Sequence, residues 1–272
     1  MHHTLFRAFP AVAGSSLLVL LSGCVTTDSS DNGPLAPVRG VILDAGHGGN
    51  PPEGSREECW GAIAAGGFKE KTGTLAVARK TASHLRQAGF GTVLTRNSDT
   101  FLTLEERTAI ASHPEYRDWI FVSIHFNRSS SKQQAKKLSA AHRRPHGFEI
   151  YVMPRRGGRS TAGSRAPSGY ATVNDARPSN LTLARCIGAR LEEIPGLANR
   201  GVKEAWFVVL RQSPIPAVLI EAGFLSNPEE GVRITTEAHQ EKLARAIAEG
   251  IRDYAARASA YASAAPSSRG RS

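Results

Sequence analysis

Short apolar segments alternate with amphipathic ones through most of this 272-residue chain. Runs of this length that are rich in Val, Ile and Phe are typical of buried strands. The predicted strands are VRGVILD (38–44), FGTVLTR (90–96), WIFVSIH (119–125), GFEIYVM (147–153), AWFVVLR (205–211) and AVLIEAG (217–223).

Between these segments, apolar residues recur three or four positions apart, which is the spacing of one helical face. Thr103 and Glu106 have the spacing of a capping box, which places a helix start in TLEERTAIAS (103–112). The apolar residues at helical spacing are Leu75, Ala78, Ala82 and Leu85 in a helix ending at Gly89, then Leu183, Ile187 and Leu191, then Leu243, Ile247, Gly250, Ile251 and Tyr254. Strands that alternate with such helices predict an α/β sandwich with a mostly parallel sheet.

The N-terminus has the pattern of an export signal. Residues 1–23 contain Arg7 near the start, the apolar run SSLLVLLS and small residues just before Cys24, which is typical of a secretory signal peptide. The ending LSGC resembles the lipobox of bacterial lipoproteins and predicts lipidation of Cys24, whereas the alternative is a plain signal peptide with an incidental cysteine. In lipoproteins of this kind, Val25 after the cysteine implies the periplasmic face of the outer membrane, if the host is Gram-negative.

Composition divides the remainder of the chain. Residues 24–37 are polar and predict a tether, residues 38–256 form the main domain, and the Ala-, Ser- and Arg-rich residues 257–272 predict a disordered tail. Two basic insertions, 128–146 and 155–178, interrupt the alternating pattern after predicted strands. Because loops after strand ends overhang the site in such sheets, the insertions are predicted either to meet an anionic substrate or to be solvated surface.

The formal net charge of +10 favours polyanionic partners, such as nucleic acid, anionic lipid or an acidic wall polymer. The predicted export and the absence of a helix with clustered arginines argue against nucleic acid. Cys59 and Cys186 are the two cysteines of the exported part. They predict either one disulfide or two buried thiols.

Four residues carry the candidate chemistry. His47, His125 and Glu221 stand at the ends of predicted strands, where sites of open α/β sheets gather, and Glu70 opens a predicted helix. Two imidazoles and a carboxylate can supply the three protein ligands of a catalytic zinc, with a fourth position for water. A second carboxylate near that water can then move protons.

Each of these residues also has a purely structural alternative. His47 can cap a helix, His125 can be a hydrogen-bonded core histidine, and Glu70 can simply complement the dipole of a helix start. Glu221 is harder to explain structurally, because an ionised carboxylate that closes the apolar run AVLI is costly to bury without a partner. Their shared position at the strand ends links the four residues better than any single motif does.

The order of motifs resembles the amidase-3 family of zinc-dependent N-acetylmuramoyl-L-alanine amidases. The motifs are VILDAGHGG, FKEKTGTLAVA, VLTRNSD, LEERTAIA, FVSIHFN, GFEIYV, NRGVKEAWFVVL and AVLIEAGFLSNPEE, and they cover about residues 39 to 255. The resemblance implies a six-stranded sheet, zinc binding by His47, Glu70 and His125, and a catalytic role for Glu221. The chain departs from the family at Ala45, where proline is usual, and at Gly73 to Leu75, where an asparagine-leucine pair is usual.

The resemblance implies hydrolysis of the amide between muramic acid and the first L-alanine of the peptidoglycan stem. The predicted partners are peptidoglycan, a membrane through the lipid anchor, and a protein activator, with no nucleic acid. Two alternatives remain at this stage. A zinc peptidase that cuts elsewhere in the stem uses the same residues, and a non-catalytic wall-binding lipoprotein is expected to lack the glutamate base.

Overall fold

The structure is a computed structural model that describes residues 33–51, 53, 59–129, 145–167 and 172–264. Its centre is one six-stranded sheet with the strand order β2-β1-β3-β6-β4-β5. The strands are β1 (Gly40–Ala45), β2 (Gly91–Leu94), β3 (Trp119–Asn127), β4 (Phe148–Val152), β5 (Asn199–Glu204) and β6 (Ala217–Phe224). The mostly parallel, six-stranded α/β sheet is therefore confirmed.

Helices cover both faces of the sheet. They are α1 (Glu70–Gln87), α2 (Leu104–Ala111), α3 (Arg177–Glu192), α4 (Val208–Arg211), α5 (Pro228–Ile234) and α6 (Glu237–Ala264), with a 3-10 turn at Pro114–Tyr116. The helices α1, α3 and α6 share the larger apolar core, which holds Val77, Ile187 and Ile247. The shorter helices α2 and α4 cover the opposite face, where the smaller core includes Phe121 and Leu210.

Strand direction decides which residues reach the candidate site. The strands β2, β1, β3 and β6 are parallel to one another, so their carboxyl ends lie at one edge of the sheet. Strand β4 runs antiparallel to β6 and is parallel to β5. The beginnings of β4 and β5 therefore lie at the edge where the other four strands end.

This direction corrects the predicted placement of one insertion. The segment 155–178 follows the carboxyl end of β4, and because β4 is antiparallel to β6, that end lies at the edge opposite to Glu221. The described parts of the segment, 155–167 and 172–178, therefore begin and end away from the edge that carries the candidate site. The other insertion, 128–146, lies almost entirely outside the described residues.

One predicted strand is a helix, and a different segment is the strand. The sequence predicts a strand in AWFVVLR (205–211), but Val208–Arg211 form helix α4. The strand in this region is β5, which is the preceding segment Asn199–Glu204. An apolar run of this length does not distinguish a buried strand from a buried helical turn. Strand β5 is polar and largely exposed because it lies at the sheet edge, so it lacks the apolar pattern that marks the others.

The ends of the chain adjust two further boundaries. Helix α6 continues to Ala264, and Ala258 is buried, so residues 257–264 belong to the helix rather than to the predicted disordered tail. Alanine, the best helix former, explains this extension. The predicted signal peptide, Cys24 and most of the tether lie outside the described residues. Among the described helices, none combines the length and apolar character needed to cross a membrane.

Cys59 and Cys186 are both buried free thiols. Cys59 lies beside the candidate site, whereas Cys186 is in α3 and belongs to the larger core on the opposite face of the sheet. Of the two alternatives drawn from the sequence, the structure therefore shows the free thiols.

Candidate active site

The four predicted residues converge at the edge where β1, β3 and β6 end. His47 follows β1, Glu70 is the first residue of α1, His125 is in β3, and Glu221 is in β6. One possible ligand atom from each of His47, Glu70 and His125 lies within 4.8 Å of the other two. Glu221 is the register partner of His125 on the neighbouring strand and lines the same cavity.

Glu70 is held between the two histidines. Its Oε1 atom lies 3.0 Å from His125 Nδ1 and 3.2 Å from His47 Nε2, and its Oε2 accepts a 2.6 Å hydrogen bond from the backbone N–H of Ala62. Burial alone raises the pKa of Glu70, but hydrogen bonds with His125 and His47 outweigh it and hold the pKa well below its usual range. Glu70 is therefore an ionised carboxylate already oriented toward both imidazoles.

His47 has an uncommon backbone conformation. Its φ is 59°, the left-handed region that non-glycine residues rarely adopt. The two following glycines, Gly48 and Gly49, also have positive φ angles. Such strain persists only where the surrounding structure enforces it, and it clusters at functional sites. The turn aims the imidazole at Glu70 instead of letting it continue along the strand.

Two buried arginines enforce this turn. Arg107 donates to the carbonyl of His47 at 2.8 Å and to that of Ala45 at 2.9 Å, and Arg96 donates to the carbonyls of Ala45 and Gly46 at 2.8 and 2.9 Å. Each arginine therefore bonds at least two carbonyls of the segment that carries His47. We call Arg96 and Arg107 the arginine clamp.

One arginine of the clamp, Arg107, is paired with a buried carboxylate. Asp44 is fully buried and accepts hydrogen bonds from Arg107 at 2.7 Å, Ser123 Oγ at 2.6 Å and Thr95 Oγ1 at 2.7 Å. Burial alone raises the pKa of Asp44, but Arg107 and the two hydroxyl donors hold it below its usual value. Sequence reasoning missed both the clamp and this role of Asp44, although the polar residue closing the apolar run VIL was a signal.

Glycines let the backbone approach the side chains of the His47, Glu70 and His125 cluster closely. A Cβ atom built on Gly61 would collide with Glu70 Oε2, and one built on Gly46 would collide with the imidazole of His125. Gly61 also has a φ of 66°. The backbone around these side chains therefore has no room for even one additional methyl group at either position.

Glu221 differs from Glu70 in that one of its carboxylate oxygens has no hydrogen-bond partner among the described residues. Its Oε2 atom is buried and has no hydrogen bond among the described residues. Burial raises the pKa of Glu221 well above its usual value, and the neighbouring carboxylates Glu70 and Glu149 raise it further. A carboxylate with a high proton affinity that faces a cavity is suited to proton transfer.

The cavity at these residues has a volume of about 420 Å³. Its polar side holds His47, His125 and Glu221. Its other side is apolar and is formed by Phe101, Leu102, Leu104, Phe207, Val209 and Leu219. A mainly apolar wall facing a few convergent polar groups is the usual composition of a small-molecule site. These wall residues were not singled out from the sequence, because their spacing is indistinguishable from that of core residues.

Known proteins place this site in a family. Residues 41–253 match the model of a protein family that is described as N-acetylmuramoyl-L-alanine amidase. The chain belongs to this amidase family. It is a hydrolase that acts on the N-acetylmuramoyl-L-alanine bond of peptidoglycan, so the expected family and activity are confirmed.

Individual relatives agree with the assignment. The chain is 31% identical to the amidase AmiA of Escherichia coli over 273 aligned positions, which cover 89% of this chain and 86% of AmiA. The solved structure of AmiC2 from Nostoc punctiforme has a TM-score of 0.60 and 29% identity, and the match covers 82% of this chain and 98% of that one. CwlD from Clostridioides difficile, solved in complex with the GerS lipoprotein, has a TM-score of 0.61 and 27% identity, with coverage of 80% and 99%.

Proposed function

We propose that this amidase is zinc-dependent and that His47, Glu70 and His125 hold the metal. The observation that carries the proposal is the cluster of two imidazoles and one ionised carboxylate within 4.8 Å, beside Glu221, whose buried Oε2 has no hydrogen bond among the described residues. Nitrogen and oxygen donors of this kind, three in number, suit a catalytic zinc. When bound, such an ion polarises a carbonyl and lowers the pKa of a water molecule to about 7.

Glu221 moves the proton in this proposal. Its Oε2 takes a proton from the attacking water and later delivers it to the nitrogen of the leaving L-alanine. No described donor competes for this atom. Its burial and its two acidic neighbours favour proton capture, since both disfavour the ionised form. The bond that breaks is the amide between the lactyl carbonyl of N-acetylmuramic acid and L-alanine.

The apolar wall orients the small substituents of that bond. Leu104, Phe207 and Val209 line the cavity with apolar surface. The lactyl methyl and the alanine methyl flank the scissile amide, so both fit against an apolar surface.

Two alternatives to the amidase reaction predict different products. A zinc peptidase that cuts elsewhere in the stem would leave the muramic acid substituted. A non-catalytic wall-binding lipoprotein would release nothing, and the buried base Glu221 argues against it. Digestion of purified muropeptides, followed by mass analysis, decides between them. The proposal requires free stem peptides that begin with L-alanine, together with glycans that carry unsubstituted lactyl groups.

The location is also part of the proposal. We infer that Cys24 carries the lipid and that the enzyme acts on the periplasmic face of the outer membrane, tethered through residues 24–37. The described end of that tether docks on the domain, because the N–H of Ala36 donates to Ser179 Oγ at 2.9 Å and the hydroxyl of Tyr254 donates to the carbonyl of Ala36. Mass analysis of the mature N-terminus tests the lipid directly.

A protein partner is a further expectation. CwlD of Clostridioides difficile is found in a complex with a lipoprotein, and a protein activator of the present chain would follow the same pattern. Activity of the purified domain on sacculi, with and without a membrane extract, tests this expectation. Full activity of the purified domain alone would remove the need for an activator.

A further inference from the structure

A second charged cluster lies beside the site, on the antiparallel half of the sheet. Glu149 in β4 is the register partner of Glu221 in β6, so the two side chains emerge on the same face. Directly opposed residues of antiparallel strands have Cβ atoms about 4.5–5.5 Å apart. Sequence reasoning did not identify Glu149, which belongs to the motif GFEIYV.

Glu149 is buried and holds two cations. Only 3% of its side chain is exposed, and its Oε1 accepts hydrogen bonds from Arg200 Nε at 2.7 Å and Lys203 Nζ at 2.5 Å. Its Oε2 accepts from the hydroxyl of Tyr151 at 2.7 Å and from the amide of Asn127 at 3.2 Å. The carboxylate is therefore fixed by four donors that arrive from three different strands.

A bulge brings both cations to the same face. Residues 200 and 203 are an odd number apart, so in a regular strand they would point to opposite faces. Between the pairs Phe148–Asn199 and Ile150–Val202, however, β5 contains one more residue than β4. Gly201 lies in this bulge with a φ of 87°. The irregularity turns Arg200 toward Glu149, where Lys203 already points.

Arg200 keeps most of its hydrogen-bonding capacity. Among the described residues, its only hydrogen bond is through Nε, which leaves the two terminal nitrogens for another acceptor. Its guanidinium lies over the ring of Phe224, 5.1 Å from the centroid, and its side chain is 36% exposed. Arg200 and Lys203 carry two positive charges and Glu149 carries one negative charge, so this cluster has a net charge of +1. It lies at the rim of the site.

The cluster is continuous with the wall of the cavity. The ring of Tyr151 packs edge-on against that of Phe207, with centroids 5.2 Å apart, and Phe207 lines the cavity. The hydroxyl of Tyr151 donates to Glu149 at 2.7 Å, and Glu149 is the register partner of Glu221. A substrate bound at Glu221 can therefore also contact the positively charged cluster of Arg200 and Lys203.

We propose that Arg200, held by Glu149 and assisted by Lys203, binds a carboxylate of the peptidoglycan stem peptide. The inference rests on the amidase function. A planar guanidinium with both terminal nitrogens available matches a carboxylate in a bidentate manner. Glu149 acts as a positioning residue that fixes the angle of the guanidinium. Edge strand β5 thus supplies a cationic group for the recognition of substrate charge.

The experiment compares two synthetic N-acetylmuramoyl peptides that differ only in whether the stem carboxylates are free or amidated. For Arg200→Gln, kcat/KM on the free acid should fall about 10- to 100-fold, mainly through KM, because a charge-assisted bidentate pair is lost. Hydrolysis of the amidated peptide should change less than about 2-fold. Arg200→Lys should restore part of the preference for the acid.

Arg190→Gln is the matched control. Arg190 is 35% exposed and donates through Nε to a carboxylate, Asp253, at 2.7 Å, but it lies in α3 on the opposite face of the sheet. It should leave both substrates unchanged. An equal loss on both peptides for Arg200→Gln would assign Arg200 a structural role only, and no loss would exclude it from binding; either result overturns the inference. Failure of the wild-type enzyme on both peptides would instead contradict the amidase function.

Discussion

His125 and Glu221 are register partners on the adjacent parallel strands β3 and β6. His125 contacts the ionised carboxylate of Glu70 at 3.0 Å, whereas the buried Oε2 of Glu221 has no hydrogen bond among the described residues. Two glutamates at one site thus have opposite environments, one that favours the anion and one that favours the proton. This separation is the one that we expect if Glu70 is a metal ligand and Glu221 is the proton carrier, as proposed.

The Glu70→Ala variant should lose its bound metal and, as a consequence, its activity. The carboxylate contacts both histidines and also accepts the backbone N–H groups of Ala62 and Phe126. Its removal takes away one ligand and the group that orients the other two. We expect substoichiometric zinc after dialysis and no turnover, measured by metal analysis and muropeptide digestion. Retention of about one zinc per domain would show that Glu70 is not a ligand.

Arg107→Met should weaken metal binding from outside the ligand set. Without Arg107, the carbonyl of His47 loses its donor and the buried Asp44 loses its ion-pair partner. Breaking a buried pair by removing one partner costs about 3–5 kcal/mol, and the free energy of unfolding should fall by this order. Denaturant unfolding measures the stability, and zinc titration of the folded variant measures the affinity. Unchanged zinc affinity would show that the clamp does not hold the His47 turn.

Gly61→Ala tests how tightly the backbone encloses the ligands. The new methyl would collide with Glu70 Oε2 and crowd His47, so the variant should bind zinc poorly even if it folds. Gly66→Ala is the matched control, since Gly66 also has a positive φ, at 94°, but open space around its Cβ. Both variants carry the same type of backbone strain, so the difference in zinc content between them isolates the collision. Equal zinc content would contradict the enclosed geometry.

His239 should make the fold sensitive to acid. This histidine is 9% exposed, and burial, together with Arg233 and Lys242, lowers its pKa from 6.5 to about 4. Between these two values the unfolded chain binds a proton that the folded chain does not, so the free energy of unfolding falls as the pH drops from 6.5 toward 4.

His239→Phe removes this titrating group and should flatten the slope of stability against pH in that window. Denaturant unfolding at several pH values measures the slope. His113→Phe is the surface control, because the side chain of His113 is 64% exposed, and it should leave the slope as it is in the wild type. An unchanged slope in His239→Phe would show that another group governs the acid sensitivity.

The sequence predicted the parts of the site that follow from strand position. His47, His125 and Glu221 each close an apolar strand, and parallel strands bring such ends to one edge of the sheet. The capping box of Thr103 and Glu106 is likewise confirmed, because it is a local pattern. Features that depend on the alternation of strands and helices could therefore be predicted from the sequence alone.

The missed features depend on partners distant in sequence. The arginine clamp joins α2 and the loop after β2 to the end of β1, and nothing near Arg96 or Arg107 in the sequence marks them as buried. The cluster around Glu149 needs the reversal of β4 and the bulge in β5. Strand β5 itself was missed because an exposed edge strand has no apolar pattern to detect.

Glu221→Gln tests the central claim most directly, because it keeps the shape of the side chain and removes its ability to take a proton. The variant should retain about one zinc per domain, as in the wild type, since the proposed ligands His47, Glu70 and His125 are intact. Its turnover of purified muropeptides should fall by at least the ~10²–10⁴-fold that proton transfer contributes. Loss of zinc in Glu221→Gln would instead make Glu221 a metal ligand, and near wild-type turnover with zinc bound would contradict its role as the proton carrier.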